Sequence, residues 1–273
     1  MLRFQNDYSE GAHPNVLRAL CDTNLSATPG YGLDDDCRRA ADAIRARFAC
    51  PDADVHFLVG GTQTKLLAAA AFLRPWEAMV AADTGHVNVH ETGAIEATGH
   101  KVIAVPGADG KLTPAAIADA AAQHCAEPCI YDEHMVLPRM AYISDTTELG
   151  TVYTKAELTA LRAACDAHGL YLYLDGARLA QALTAAGNDL RPEDLPQLCD
   201  AFYIGGSTWA ATQTRRHSAS RPRSRISACR CMCPRRRTRS SPSCRTIRSR
   251  GCRSGWRFTR TPAWTKRTRP CAS

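Results

Sequence analysis

Beyond Asp200 the chain carries no acidic side chain, and its one lysine there, Lys266, stands near the end. Residues 1–200 hold 15 Lys and Arg against all 27 Asp and Glu, a balance of −12, whereas residues 201–273 hold the other 19 basic residues, a balance of +19. The overall charge of +7 therefore averages two unlike segments. From Arg215 to Pro270 the composition is Arg, Ser, Thr, Pro and Cys with hardly two aliphatic residues adjacent, which excludes a hydrophobic core there. One folded domain is expected over residues 1–206, within the ~100–200 residues usual for a domain. Residues 207–273 are expected to be an unfolded basic tail.

Paired cysteine spacing is also missing. Of the 13 cysteines, the seven up to Cys199 are scattered among Ala-rich stretches, which suits reduced, buried thiols of a cytoplasmic protein better than a disulfide framework. Cys229-Arg230-Cys231-Met232-Cys233 lacks CxxC spacing and has only His217 nearby, so no metal site is expected. No apolar run approaches the ~18 residues of a membrane span. Met1-Leu2-Arg3-Phe4 runs straight into Asn6, Asp7 and Glu10, unlike a secretory leader, so no membrane association is expected.

What the first 206 residues do contain is a regular alternation. Apolar positions at helical spacing cover Val16–Ser26 and Asp36–Ala49, with Thr28-Pro29-Gly30-Tyr31-Gly32 as a turn between them. Strands are predicted at Val55–Val59, Ala78–Ala82, Lys101–Val105, Cys129–Tyr131, Met140–Ser144, Leu170–Leu174 and Phe202–Ile204. Helices are predicted between them at Thr64–Leu73, His86–Gly99, Thr113–Cys125 and Lys155–His168. Such alternation predicts an α/β fold, a mostly parallel sheet with helices on both faces. Ligands of such sheets gather at the carboxyl ends of the strands.

Three constellations fall at predicted strand ends. Gly60-Gly61-Thr62-Gln63-Thr64 enters a helix, where glycines and free amides suit a phosphate; a plain strand-to-helix turn with a Thr cap fits equally. In Leu172-Tyr173-Leu174-Asp175-Gly176-Ala177-Arg178 a buried strand ends in a carboxylate able to keep a pyridine nitrogen protonated, with Arg178 placed to bind a carboxylate. A helix-capping Asp with an Arg on the next turn is the alternative. In the third, Asp83 to Ala94, His86 and His90 share a helical face but lack a third metal ligand. His86 suits stacking on a flat cofactor, and His90 a structural place.

Taken together these residues resemble the low-specificity threonine aldolases and their β-eliminating lyase relatives, pyridoxal-phosphate enzymes of the aspartate aminotransferase fold. The resemblance runs in order through Asn6-Asp7-Tyr8-Ser9-Glu10-Gly11, Gly30-Tyr31-Gly32, Gly61-Thr62-Gln63, Gly85-His86, Ile143 to Gly150, Asp175-Gly176-Ala177-Arg178 and Tyr203-Ile204-Gly205-Gly206. It implies pyridoxal 5'-phosphate as cofactor, held at its phosphate by Gly61, Thr62 and Gln63, stacked on His86 and paired through its ring nitrogen with Asp175. It further implies Asn6 or nearby Ser9, together with Tyr31 and Arg178, as contacts to an amino-acid substrate, with His86, Asp175 and Arg178 as the catalytic set. The implied reaction cleaves a β-hydroxy-α-amino acid to glycine and an aldehyde, in a homo-oligomer, dimeric or tetrameric, with Tyr31 near a site shared between subunits.

The resemblance also implies a Schiff-base lysine just past Gly205-Gly206, followed by a small C-terminal domain. Here the chain reads Ser207-Thr208-Trp209-Ala210. The acid-free stretch is therefore expected to be an out-of-frame translation that leaves the lyase inactive. The alternatives are a basic arm whose 18 arginines, Arg235-Arg236-Arg237 among them, bind nucleic acid through its phosphates without sequence preference, and a non-functional fragment.

Overall fold

A computed structural model describes residues 11–127 and 130–206. Asn6, Ser9, Cys129 and the tail, with the expectations attached to them, lie outside the described residues.

Five parallel strands form the sheet, in the order β2-β1-β5-β6-β7, where β1 is Glu77–Ala82, β2 Val102–Val105, β5 Leu137–Ser144, β6 Tyr171–Gly176 and β7 Ala201–Ile204. Two short strands, β3 (Cys125–Glu127) and β4 (Ile130–Tyr131), pair antiparallel beside it. The helices are α1 (Pro14–Thr23), α2 (Asp35–Arg47), α3 (Gly61–Phe72), α4 (His86–Val89), α5 (Pro114–Gln123), α6 (Lys155–His168), α7 (Leu179–Ala182) and α8 (Leu195–Leu198).

The period of two along each strand divides the core between two faces. Val80, Ala141, Ile143, Leu172, Leu174, Phe202 and Ile204 meet Ile44 of α2, Ile117 of α5 and Leu158, Leu161 and Cys165 of α6. Met79, Ala81, Met140, Tyr142, Tyr173 and Tyr203 point the other way, against Ala68 and Ala69 of α3, Val87 and Ile95. Each fully buried Leu contributes roughly 1.5–3 kcal/mol, and both faces must be covered for a parallel sheet to hold. Helix α6 begins in a capping box, in which Thr154 Oγ1 accepts from the Glu157 amide while Glu157 Oε2 accepts from the Thr154 amide.

Two predicted elements differ from the structure. Residues 55–59 form no strand beyond a single bridge at Leu58, and Val59 is exposed. The helix predicted over His86–Gly99 ends at Val89, where His90 leaves helical backbone (φ −113°, ψ −115°); Thr92 and Gly93 then take left-handed backbone, and a short 3-10 turn at Glu96–Thr98 closes the segment before Gly99. That break returns Glu91 toward the sheet, with consequences for the site.

Candidate active site

The carboxyl ends of β5, β6 and β7 bring Ser144, Asp175 and Tyr203 into register side by side. Tyr142 precedes Ser144 by two and shares its face, stacking on Tyr173 with ring centroids 6.1 Å apart. Gly176 is required here, since a Cβ would fall on the Tyr203 carbonyl oxygen. Asp175 therefore sits at a strand end with its side chain 3% exposed.

Four donors surround that carboxylate. Oδ2 accepts from Lys65 Nζ at 2.8 Å and from the Tyr142 hydroxyl at 2.5 Å; Oδ1 accepts from the Ala177 amide at 3.0 Å; and the Tyr203 side chain adds a further hydrogen bond. A carboxylate offers about four acceptor sites, so this one is saturated. Burial works against its ionisation, but Lys65 and the tyrosine hydroxyls win and hold its pKa below the usual aspartate value. The same contacts raise the Tyr142 hydroxyl, already disfavoured as an anion by burial, well above an ordinary phenol.

Lys65 is the centre of the cluster. Its side chain, 2% exposed, also meets Glu91 Oε1 at 2.5 Å and His86 Nδ1 at 3.3 Å, and lies 5.8 Å from the centre of the Tyr203 ring. Burial disfavours the ammonium, yet Asp175 and Glu91 outweigh that and raise its pKa above the ordinary lysine value. Glu91 is the mirror case: burial opposes its charge, and His86 and Lys65 lower its pKa regardless. Its Oε2 is nonetheless buried with no hydrogen-bond partner. His86 Nδ1 stands 3.1 Å from Glu91 Oε1, and about a third of its side chain, 34%, remains exposed.

The glycine turn lies at the start of α3, which also carries Lys65. Gly60 caps the helix in extended backbone with no side-chain bond to its first amides, and Thr62 is exposed, its hydroxyl 3.4 Å from Glu91 Oε1. Gln63 turns back, its Oε1 accepting from the Val59 amide. Arg178 is half-buried at the start of α7. Tyr31 is fully exposed between α1 and α2 with φ of 63°. Glu148 accepts from Ser144 Oγ at 3.1 Å, and burial together with nearby Asp175 raises its pKa.

Of the sequence-predicted residues, the structure thus brings His86 and Asp175 together, with Thr62 at the rim, and leaves Tyr31 away from them. Sequence reasoning missed Lys65, Glu91, Tyr142 and Tyr203. Lys65 had only a weak signal, a lone cation in an Ala-rich helix. Tyr142 had one too, since it stands two residues before the carboxyl end of β5 and so shares a face with Ser144.

Tested against pyridoxal phosphate, the site divides. The free amides of α3 suit a phosphate and the exposed His86 ring suits a stacked partner. The ring-nitrogen place does not fit: all acceptor positions of Asp175 are filled, one by an ammonium, and the described residues hold no other lysine beside it. No chemical step through that group is derived from this arrangement.

Residues 14–212 match the β-eliminating lyase family model. The low-specificity L-threonine aldolase of Pseudomonas aeruginosa is 35% identical over 187 residues, 68% of this chain and 52% of that protein, so the chain spans about half the length of the curated relatives it matches. A Pseudomonas sp. enzyme of the same name is 34% identical over the same extent. Among solved structures, Leishmania major threonine aldolase superposes with a TM-score of 0.71 at 52% identity, over 74% of this chain and 58% of that one. Thermus thermophilus aspartate aminotransferase shares the fold at a TM-score of 0.59 and 18% identity, over 83% and 55% of the respective chains. The chain belongs to the β-eliminating lyase family that includes the low-specificity threonine aldolases.

Proposed function

We propose that this chain descends from a pyridoxal-phosphate lyase that cleaves β-hydroxy-α-amino acids to glycine and an aldehyde, and that the polypeptide as written does not perform the cleavage. One observation carries the second half. Of the four lysines at or before Asp200 only Lys65 stands in the pocket, and its nitrogen is held as an ammonium between two buried carboxylates. An amine must be free of its proton to attack a carbonyl, and this one is held protonated. After β7, where the family resemblance expects the reactive lysine, the chain has none before Lys266.

The change of composition at Gly206 supports a shifted reading frame as its origin. Reading the encoding DNA in the other frames should then expose a lysine after Gly205-Gly206 and a continued α/β pattern; two further unpatterned frames would rule this origin out. Helix α1 buries no residue and exposes Leu17 and Leu20, which supports assembly with further copies of the chain. For activity, the expected result with L-threonine and added pyridoxal phosphate is no aldehyde above the protein-free control. Restoring the in-frame lysine and the domain that follows should produce it. Aldehyde release by the chain as written would refute the proposal.

A further inference from the structure

The geometry points to Lys65 as a movable internal cation that occupies the ring-nitrogen seat on Asp175 and has a second seat on Glu91, so that it decides whether the pocket accepts a ligand by a protonated ring nitrogen. This rests on reading the pocket as a phosphopyridoxyl site.

Three observations build it. First, Lys65 Nζ already bridges the two carboxylates, 2.8 Å from Asp175 Oδ2 and 2.5 Å from Glu91 Oε1, with its side chain 2% exposed. Neither carboxylate can shed this partner into water; each is 2–3% exposed, and an unpaired buried carboxylate is costly. Second, Asp175 has no vacant acceptor position, so a ring nitrogen can pair with it only by displacing a donor. Of the donors present only Lys65 brings a charge, and a protonated ring nitrogen that takes its place leaves Asp175 paired with one cation as before. Third, Glu91 Oε2 is buried and has no partner. It is a vacant acceptor on the very group that Lys65 already touches, so the displaced ammonium stays paired by closing onto both oxygens of Glu91.

Lys65 and Glu91 therefore act in opposite directions on the same ligand, a pattern that general loss of packing would not produce. Removing the Lys65 ammonium frees the Asp175 seat. Removing the Glu91 charge abolishes the retreat and locks Lys65 onto Asp175.

The test measures binding of pyridoxamine 5'-phosphate, which has the ring nitrogen but no aldehyde, against its benzene counterpart without that nitrogen, by calorimetry on the full chain. The unmodified chain, whose Lys65 must first retreat onto Glu91, is expected to prefer the nitrogen-bearing ligand, but by less than Lys65→Met does. Lys65→Met is expected to prefer the nitrogen-bearing ligand by about tenfold, the worth of one charge-assisted hydrogen bond. Glu91→Gln is expected to bind both more weakly than Lys65→Met and with no such preference. Should Lys65→Met fail to fold, Glu91→Gln and the unmodified chain still decide, because a preference for the ring nitrogen in Glu91→Gln as large as that of the unmodified chain overturns the assignment. So does the absence of any preference in folded Lys65→Met, or borohydride fixation of pyridoxal phosphate onto Lys65 in the unmodified chain. If no form binds either phosphorylated ring, the pocket reading falls and takes this inference with it; if all bind both rings alike, only the inference falls.

Discussion

Two buried clusters in this fold each set one cation between two carboxylates, at opposite ends of the same sheet. At the amino ends, Arg162 of α6 donates to Asp200 at 2.6 Å, to Asp166 at 2.8 Å and to the Leu170 carbonyl at 3.2 Å, and Asp200 also accepts from the Leu172 amide at 2.7 Å. At the carboxyl ends, Lys65 of α3 holds Asp175 and Glu91. The difference lies in the second carboxylate. Asp166 is 56% exposed, so water meets its charge and the buried pair Arg162–Asp200 is neutral. Glu91 is 2% exposed, so the Lys65 cluster buries one negative charge more than it pays for, unless His86 is protonated or a cationic ligand enters. The first arrangement closes α6 onto β6 and β7, and the second leaves a demand that a ligand can meet.

The largest effect is expected where the pair is only structural. Arg162→Leu leaves Asp200 charged and buried, and should lower unfolding free energy by about 3–5 kcal/mol. Urea unfolding followed by circular dichroism measures it. A loss below about 1 kcal/mol, the range of exposed pairs, would erase the distinction between the two clusters.

Asp145 sharpens the comparison as a buried carboxylate with no cation in contact. It is fully buried, its Oδ1 accepts only a long 3.4 Å bond from the Tyr153 amide, and its Oδ2 has no partner. Burial pushes its pKa up to about 7, against lesser lowering by the Tyr153 amide and distant Lys111. In this window the folded state holds a proton that the unfolded state has released. Stability should therefore fall between about pH 4 and pH 7 and level off above, by at most about 4 kcal/mol at ~1.4 kcal/mol per unit. The Lys65 cluster has the opposite sign. Asp175 and Glu91, with lowered pKa values, contribute stability above the ordinary carboxylate range and lose it as pH falls through their folded values. Asp145→Asn should reduce the neutral-side decline to the part carried by Glu148, whose pKa is also raised, and leave the acid-side loss intact. A decline undiminished in Asp145→Asn would show that Asp145 does not carry it.

How much of this was legible in the sequence follows from the range of each interaction. Helix α6 was readable to its ends because its signals are local: Thr154 three residues before Glu157, a buried stripe of Leu158, Leu161 and Cys165, and Gly169 in left-handed backbone at the close. The strand expected at Val55–Val59 is a single bridge at Leu58, because strand pairing depends on a partner distant in sequence that apolar residues do not announce. In the site, Asp175 and His86 were readable from strand-end position and motif. Lys65 was passed over because its partners, Asp175 and Glu91, are 110 and 26 positions away and meet it only after the 86–99 segment breaks at Thr92-Gly93. A lysine inside Gly-Thr-Gln-Thr-Lys-Leu-Leu reads as a solvated helix charge until its neighbours are known to be buried.

The smallest effect isolates the two clusters from each other. Thr154→Ala removes the cap of α6, leaving the Glu157 amide without its acceptor, and should cost about 1 kcal/mol. Glu157 would keep Lys111, 2.8 Å from both its oxygens, so the loss should not grow beyond the cap itself. Because α6 carries Arg162 and packs on the face opposite α3, the variant should loosen the amino-end cluster and leave the pocket's ligand preference unchanged. Amide exchange should therefore quicken in α6 while the ratio of affinities for the two phosphorylated rings stays as in the unmodified chain. A shift in that ratio would mean that the sheet transmits strain from one cluster to the other and that the two are one cooperative unit.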